Sequence, residues 1–224
     1  MTETSARETQ AGFALPWGLR LYPAAKRMLD VLAASVLLVM LVPLLAVAYL
    51  AVRTTSPGAG IYRQERVGAG GRTFEIYKFR TMHDRSPEDV HRTYVARLLA
   101  GEVEAEQGLY KLAGDARVTK VGAFLRRTSI DELPQLVNVL RGDMSLVGPR
   151  PALPWEVEMF PVWAHQRHAV RPGLTGLWQV SGRNRLTMTE GLHLDVQYVN
   201  QATLLGDIVI MLRTVPALLR GGAR

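Results

Sequence analysis

Residues 31–52 read VLAASVLLVMLVPLLAVAYLAV, a run of 22 positions without a charge. A straight helix of that length reaches about 33 Å, enough to cross the ~30 Å hydrocarbon core of a bilayer. A buried helix of a water-soluble domain rarely runs so long without a polar face. A signal peptide is the other competitor, because Ala46-Val47-Ala48 imitates a cleavage site. The polar leader before it is too long for one, however, and the apolar run continues past the site. The stretch is therefore read as a membrane helix, and the rest of the chain must be arranged around it.

Pro43 lies at the middle of this segment. It lacks an N–H, and its ring collides with the carbonyl of Val39, so the helix is expected to bend or break there. Each half alone is too short to cross. Arg20, Lys26 and Arg27 precede the segment; Arg53, Arg63, Arg66 and Arg72 follow it, with only Glu65 nearby to offset them. A simple spanning helix usually has a Lys/Arg bias toward one end. Two basic ends suit a re-entrant helix with both ends at one leaflet, held by anionic membrane lipids. A spanning helix with a weak bias fits the same residues, and the charges do not separate the two.

The whole chain has 224 residues, 27 Lys and Arg against 20 Asp and Glu, and a net charge of +7. That excess calls for a polyanionic partner. The absence of cysteine excludes thiolate catalysis, Cys-ligated zinc, iron–sulfur clusters and a disulfide framework. With 48% hydrophobic residues the chain is too apolar to be disordered throughout. Residues 1–18 read as a poorly ordered tail, 19–53 as the membrane helix and 54–220 as one further domain. Ile61–Val67 and Thr73–Phe79 flank Gly68-Ala69-Gly70-Gly71 and read as a β-hairpin. Helices are expected from Ser86 to Ala100, Val118 to Arg127, Ser129 to Arg141, Trp155 to His168 and Leu192 to Ala202. Met144–Pro151 and Arg171–Arg183 read as Gly-rich loops. Leu204–Leu219 reads as a helix lying on the membrane.

The most informative place is Ser129-Ile130-Asp131-Glu132-Leu133-Pro134. Ser129 and Glu132 fit a capping box, which sets both acids in the first turn of a helix. Acids there commonly only complement the helix dipole. Here Arg126 and Arg127 stand immediately before them, and Arg141, Arg150, Arg171 and Arg183 follow in loops. A carboxylate beside arginines is held ionised; it can coordinate Mg²⁺ and attack phosphorus. Arginine forks suit a pyrophosphate. His165 and His168 read as a solvated helix face rather than a metal site.

At this point the chain resembles a known family. Lys26-Arg27 and Asp30, Thr55-Ser56-Pro57-Gly58, RQERVG (63–68), YKFRTM (77–82), Arg117-Val118-Thr119, FLRRTSIDELPQLVNVLRGDMSLVGPRPA (124–152) and RPGLTGLWQVSGR (171–183) are similar to the bacterial sugar transferases, the monotopic phosphoglycosyl transferases. The resemblance covers about residues 24–220. It implies an α/β fold, mostly helical with a small β-hairpin, carrying a re-entrant helix and a cytoplasm-facing catalytic domain on the bacterial inner membrane. It implies transfer of a sugar-1-phosphate from a UDP-sugar to polyprenyl (undecaprenyl) phosphate, with UMP released and Mg²⁺ as cofactor. Asp131 would be the nucleophile and Glu132 its partner, both reaching the metal. The substrate-binding residues it implies are Lys78, Arg80, Arg127, Arg150, Arg171, Gln179 and Arg183; Trp178 lines the nucleotide site or is core. Two positions depart from the pattern. Val42-Pro43 stands where the family has Ser-Pro, and Ala202 falls in a stretch where a Trp commonly follows Tyr-Val.

Three other readings are weaker. An inverting glycosyltransferase would normally carry an Asp-x-Asp metal motif, which is absent. A nucleic-acid-binding module would gather its basic residues on one face with exposed aromatics, and the charge-free run speaks against it. A membrane scaffold would tolerate loss of Asp131. The sugar and the downstream glycan cannot be read from these residues, and a homo-oligomer is left open.

Overall fold

The computed structural model describes residues 22–83, 117–182 and 186–221. The expected tail at 1–18, the expected helix at Ser86–Ala100 and Arg183 lie outside them. Helix α1 (Tyr22–Thr55) is 34 residues long. Of the bend or break expected at Pro43 the break does not occur: the helix continues through it. Only one helix turn loses a hydrogen bond to the missing N–H, and an apolar helix has no water to take over the remaining ones. Most of its side chains in the apolar run are exposed, Val39 and Met40 among them, as a lipid-facing surface requires.

The rest of the described chain folds against that helix. The hairpin forms as expected: β1 (Ile61–Val67) pairs antiparallel with β2 (Thr73–Phe79), with Ile61 opposite Phe79 and Val67 opposite Thr73. The connecting Gly70 and Gly71 both have positive φ (65° and 75°), which only glycine adopts without strain. Helix α2 (Lys120–Thr128) starts on Thr119, whose hydroxyl accepts from the Gly122 N–H at 2.8 Å.

The helix expected over Ser129–Arg141 is instead two pieces, a 3₁₀ turn (Ile130–Gln135) and helix α3 (Leu136–Arg141). Pro134 donates no hydrogen bond, so the first piece closes on shorter i→i+3 bonds. The two stretches read as Gly-rich loops contain regular structure. Strand β3 (Ser145–Val147) pairs in parallel with β4 (Gly173–Thr175), a second small sheet that was not expected. Runs of three residues carry no legible alternation. Helices α4 (Pro154–Glu158) and α5 (Leu177–Ser181) are short, and Val162–Ala169 is 3₁₀. Thus the single helix expected over 155–168 is broken at Pro161. Helices α6 (Met188–Gln201) and α7 (Leu204–Gly221) complete the chain.

The main core joins Ala34 of α1 to Ile76, Leu136, Val139, Met144, Leu146, Val147, Tyr198 and Ile210. A second core gathers around Trp178, Met188 and Leu192, so Trp178 is core. A third joins Ala48 and Val52 of α1 to Phe79 and Leu125. Both ends of α1 are therefore built into the same body. At its start, Lys26 pairs with buried Asp207 at 2.9 Å, Arg27 donates to the carbonyls of Val139 and Leu140, and buried Asp30 accepts from Ser145 Oγ and the Leu146 N–H. At its end, Arg80 donates to Ser56 Oγ and to the Ser56 carbonyl. On α7, Leu205, Ile208, Val209, Leu212 and Val215 form an exposed apolar stripe at helical spacing.

Candidate active site

The two acids sit on the 3₁₀ turn directly after α2. Ser129, which joins them, has φ 57° and is the one non-glycine residue with positive φ among the described residues. Its side chain makes no cap, so the capping box read from the sequence is corrected; the Ser129 carbonyl instead accepts from the Glu132 N–H at 3.2 Å. A left-handed serine costs about 1 kcal/mol. It ends α2, and both acids stand on the 3₁₀ turn that follows.

The turn lies across the end of the hairpin. Lys78 of β2 pairs with Glu132 at 3.1 Å, both side chains mostly buried. What brings β2 to this place is Asn138 on α3. Fully buried, it accepts from the Tyr77 N–H at 3.1 Å and donates to the Glu75 carbonyl at 2.7 Å. One side chain thus stitches the strand carrying Lys78 to the helix following Glu132. It was not singled out from the sequence, because an asparagine inside a short helix carries no local signal.

Arg150 approaches from the other side. The Val67 N–H donates to the Ala152 carbonyl at 2.9 Å, so the loop carrying Arg150 continues the hairpin as an added edge. Buried Arg66 donates to the Pro151 carbonyl at 3.1 Å and to Gln64. Arg66 was grouped with the charges flanking the membrane helix; the structure corrects this and buries it beside the site. Lys78 lies in the field of Glu132, Asp131, Arg66 and Arg150. Burial holds its pKa below the ordinary lysine value, the two arginines add to that, and the two carboxylates oppose it. The cluster of two carboxylates, one lysine and two arginines is suited to a doubly charged phosphate ester.

The Arg150 loop is itself anchored. Arg167 forms a fully buried ion pair with Asp195 at 2.5 Å and donates to the Arg150 carbonyl at 2.6 Å. Gly148 lies so close to Gly173 and to the Arg171 carbonyl that a Cβ on either glycine would meet backbone at 2.4 Å or less. This close approach joins the 145–152 and 171–176 loops, the two most distinctive stretches of the sequence, into one wall.

The remaining expected residues are distributed unevenly. The Arg171 backbone is part of that wall and the residue itself is exposed. Gln179 on α5 has its Oε1 buried and without a hydrogen-bond partner among the described residues. Arg127 is exposed, its guanidinium 5.9 Å from the Phe124 ring. Arg80 spends its hydrogen bonds on Ser56 at the end of α1. His165 is exposed, as expected of a solvated face; His168 is half-buried. Burial, then Arg167 and His165, lower the His168 pKa to about 4, so it is neutral at physiological pH. No group of three His, Asp or Glu suited to hold a metal occurs among the described residues.

The position of Lys78 carries a pH prediction. If its ammonium is what holds Glu132 in place, activity falls on the alkaline side below the pH at which an ordinary lysine loses its proton, about 10.4. Lys78→Arg keeps its charge to much higher pH. It should move that alkaline limb upward in a kcat/KM profile, and an unmoved limb would assign the titration to another group.

Comparison with known proteins agrees with the geometry. A family model described as Bacterial sugar transferase matches residues 21–221. The chain is 43% identical over 193 residues to the exopolysaccharide production protein ExoY of Rhizobium meliloti, covering 86% of this chain and 84% of that one. It is 46% identical over 203 residues to the UDP-glucose:undecaprenyl-phosphate glucose-1-phosphate transferase of Caulobacter vibrioides, covering 87% and 69%. Against the undecaprenyl-phosphate galactose phosphotransferase of Salmonella typhimurium identity is 42% over 195 residues, 87% of this chain but 40% of that longer protein. The match takes in the membrane helix, the acid-bearing turn and both loops of the wall, and with it the chain belongs to the bacterial sugar transferase family.

Proposed function

We propose that this chain moves a sugar-1-phosphate from a UDP-sugar to polyprenyl phosphate at the cytoplasmic face of the bacterial inner membrane, releasing UMP. The observation that carries the reading is the packing of Asp131-Glu132, Lys78, Arg66 and Arg150 into one site on the body that also holds both ends of α1. The names of the relatives in Caulobacter vibrioides and Salmonella typhimurium point to the same donor and acceptor classes.

The chemistry balances in two steps. A carboxylate oxygen of Asp131 attacks the β-phosphorus of the UDP-sugar, and the bond from that phosphorus to the bridging oxygen breaks. UMP leaves with the electron pair, and an aspartyl phosphosugar remains. The phosphate oxygen of the lipid acceptor then attacks the same phosphorus and displaces the Asp131 carboxylate. The product is a polyprenyl diphosphosugar, and no water is consumed. Lys78 orients Glu132, while Arg150 and Arg66 offset the charge of the diphosphate.

The donor set fits Mg²⁺, which is usually held by one or two carboxylates together with substrate phosphates rather than by an all-protein cage. Asp131 and Glu132 would hold it, and when bound it supplies charge neutralisation on the diphosphate. UMP release from a panel of UDP-sugars, with membranes containing polyprenyl phosphate, tests the whole reading. One sugar should give release that depends on the lipid and stops on chelation. No release from any member of the panel would overturn the function, and release insensitive to chelation would remove the metal.

The bonding of α1 supports a re-entrant topology. At about 1.5 Å per residue its 34 residues span roughly 51 Å. A spanning helix of that length would set its two ends on opposite sides of the bilayer, yet Lys26 and Arg27 at one end and Ser56 at the other are bonded to one polar body. The chain is free of cysteine, so Ala24→Cys and Thr54→Cys can be labelled singly. Both should react with an impermeant reagent from the same side; opposite sides would establish a spanning helix.

A further inference from the structure

A cavity of about 350 Å³ lies between the second half of α1 and helix α2. Leu44, Val47 and Ala51 form one wall, Val121 and Phe124 the other, and Ile130 closes its end. The surface is almost wholly apolar and open along one side, and none of the catalytic contacts described above uses it. Its closed end is informative. The 3₁₀ turn crosses from one face of the hairpin to the other within three residues. Ile130 packs against the cluster that contains Phe79, and Glu132 pairs with Lys78, the preceding residue of β2, whose side chain leaves the opposite face of the strand. Asp131 stands between them in the chain. A ligand in the groove therefore reaches the acid turn from the side opposite the lysine and arginines.

From this juxtaposition we infer that the groove holds the first isoprene units of the lipid acceptor, an inference that rests on the function proposed above. The occupant must be an apolar chain with an anionic head. The walls belong partly to a lipid-exposed helix, so the chain continues from the groove into the bilayer. Arg127, on the last turn of α2, lies over Phe124, so a cation stands at the end of the groove nearest the acid turn, while Lys120 lines it at the other end of that helix. The volume is at the lower end of the ~300–1,000 Å³ of small-ligand pockets. It is sufficient for the head-proximal part of a polyprenyl chain and not for its whole length. With donor and acceptor entering by different sides, the aspartyl phosphosugar can form without the lipid leaving.

The test narrows the groove with Val47→Trp, at an exposed position, and Ala51→Phe, and follows three readouts. Exchange of labelled UMP into the UDP-sugar reports the first step alone and should be unchanged. With dimethylallyl phosphate, whose single isoprene fills the least of the groove, the rise in KM should be smaller than for the long acceptor. With a long polyprenyl phosphate in phosphatidylglycerol–phosphatidylethanolamine vesicles, KM should rise about tenfold or more, the loss expected when two CH₂-sized groups lose their burial. An equal fall in exchange would make the groove a structural feature, and an unmoved KM for the long acceptor would place its tail elsewhere. A polyprenyl phosphate carrying a diazirine on its first isoprene reads the site without turnover. It should label residues within 44–51 and 120–130, competed by unlabelled polyprenyl phosphate. Labelling confined to other parts of the chain would overturn the groove even where the enzyme is active. Labelling of the groove in a protein without UMP release would leave the groove standing and remove the reaction.

Discussion

Asp131→Asn is expected to abolish UMP release, with a loss of at least about a thousandfold in kcat, while the protein still folds and still binds membranes. The substitution keeps size and shape. It removes the negative oxygen that attacks phosphorus, and an amide is a far weaker nucleophile. A thousandfold corresponds to about 4 kcal/mol of barrier, a modest share of what enzymes remove. The fold should notice little. Asp131 is half-buried on a short turn, and the Ser129 carbonyl to Glu132 N–H bond and the packing of Ile130, which help to hold that turn, remain in the variant. Glu132→Gln is the informative comparison. It should lower the rate less, because its carboxylate is already engaged by Lys78 at 3.1 Å and acts by holding its surroundings in place. Exchange of labelled UMP into UDP-sugar separates the roles, since it needs only the first step: Asp131→Asn should lose it altogether and Glu132→Gln in part. Full UMP release by Asp131→Asn would exclude it as the nucleophile and leave Glu132 as the next carboxylate to test.

How far this site could be read from the sequence depends on the range of the interactions that build it. The apolar helix, the hairpin and helix α2 were legible because each rests on a local signal: a charge-free run, β-prone residues around glycines, a basic amphipathic pattern. The Asp131-Glu132 pair was legible as a pair, but its setting was read wrongly. A serine followed three residues later by a glutamate looks like a capping box, and nothing local reveals that Ser129 adopts a left-handed conformation. Lys78 was named through resemblance and Arg150 first as one of the loop arginines, whereas Asn138 was missed and Arg66 was read as a membrane-flanking charge, although these two fix the strand and the loop that carry them. Both act between segments far apart in the chain, Asn138 on Glu75 and Tyr77, Arg66 on Pro151. Strands β3 and β4 were missed for the same reason: three-residue strands gain their identity from each other, through the approach of Gly148 to Gly173. The two stretches that looked most distinctive as sequence are therefore the two whose structure was least visible in it.

The buried pair of Arg167 and Asp195 is where stability and function are joined most tightly, and Arg167→Met is expected to damage both. Arg167 and Asp195 are 2% and 1% exposed as side chains. Removing one partner of such a pair leaves an uncompensated buried charge and typically costs about 3–5 kcal/mol. The loss should depend on pH, and its sign follows from Asp195. Burial already raises the Asp195 pKa above 3.8, and Arg167 opposes that rise. Without the arginine the folded-state pKa climbs further above the unfolded value, so in that window the folded protein binds more protons than the unfolded one. The Arg167→Met variant should therefore lose stability as pH rises from about 4 toward neutrality, and acid should partly rescue it. A midpoint of unfolding that does not depend on pH would show that Asp195 finds water or another cation. The second effect is on the site. Arg167 also donates to the Arg150 carbonyl at 2.6 Å, so its loss frees the loop that aims Arg150 at the substrate. The double variant Arg167→Met/Asp195→Leu separates the two effects. It removes both charges and should recover most of the stability, as replaced buried pairs often do. It cannot restore the hydrogen bond to Arg150, so KM for the UDP-sugar should stay raised in a protein that is again stable. If stability and KM recover together, the pair serves packing alone and Arg150 is positioned by Arg66 and the pairing of Val67 with Ala152.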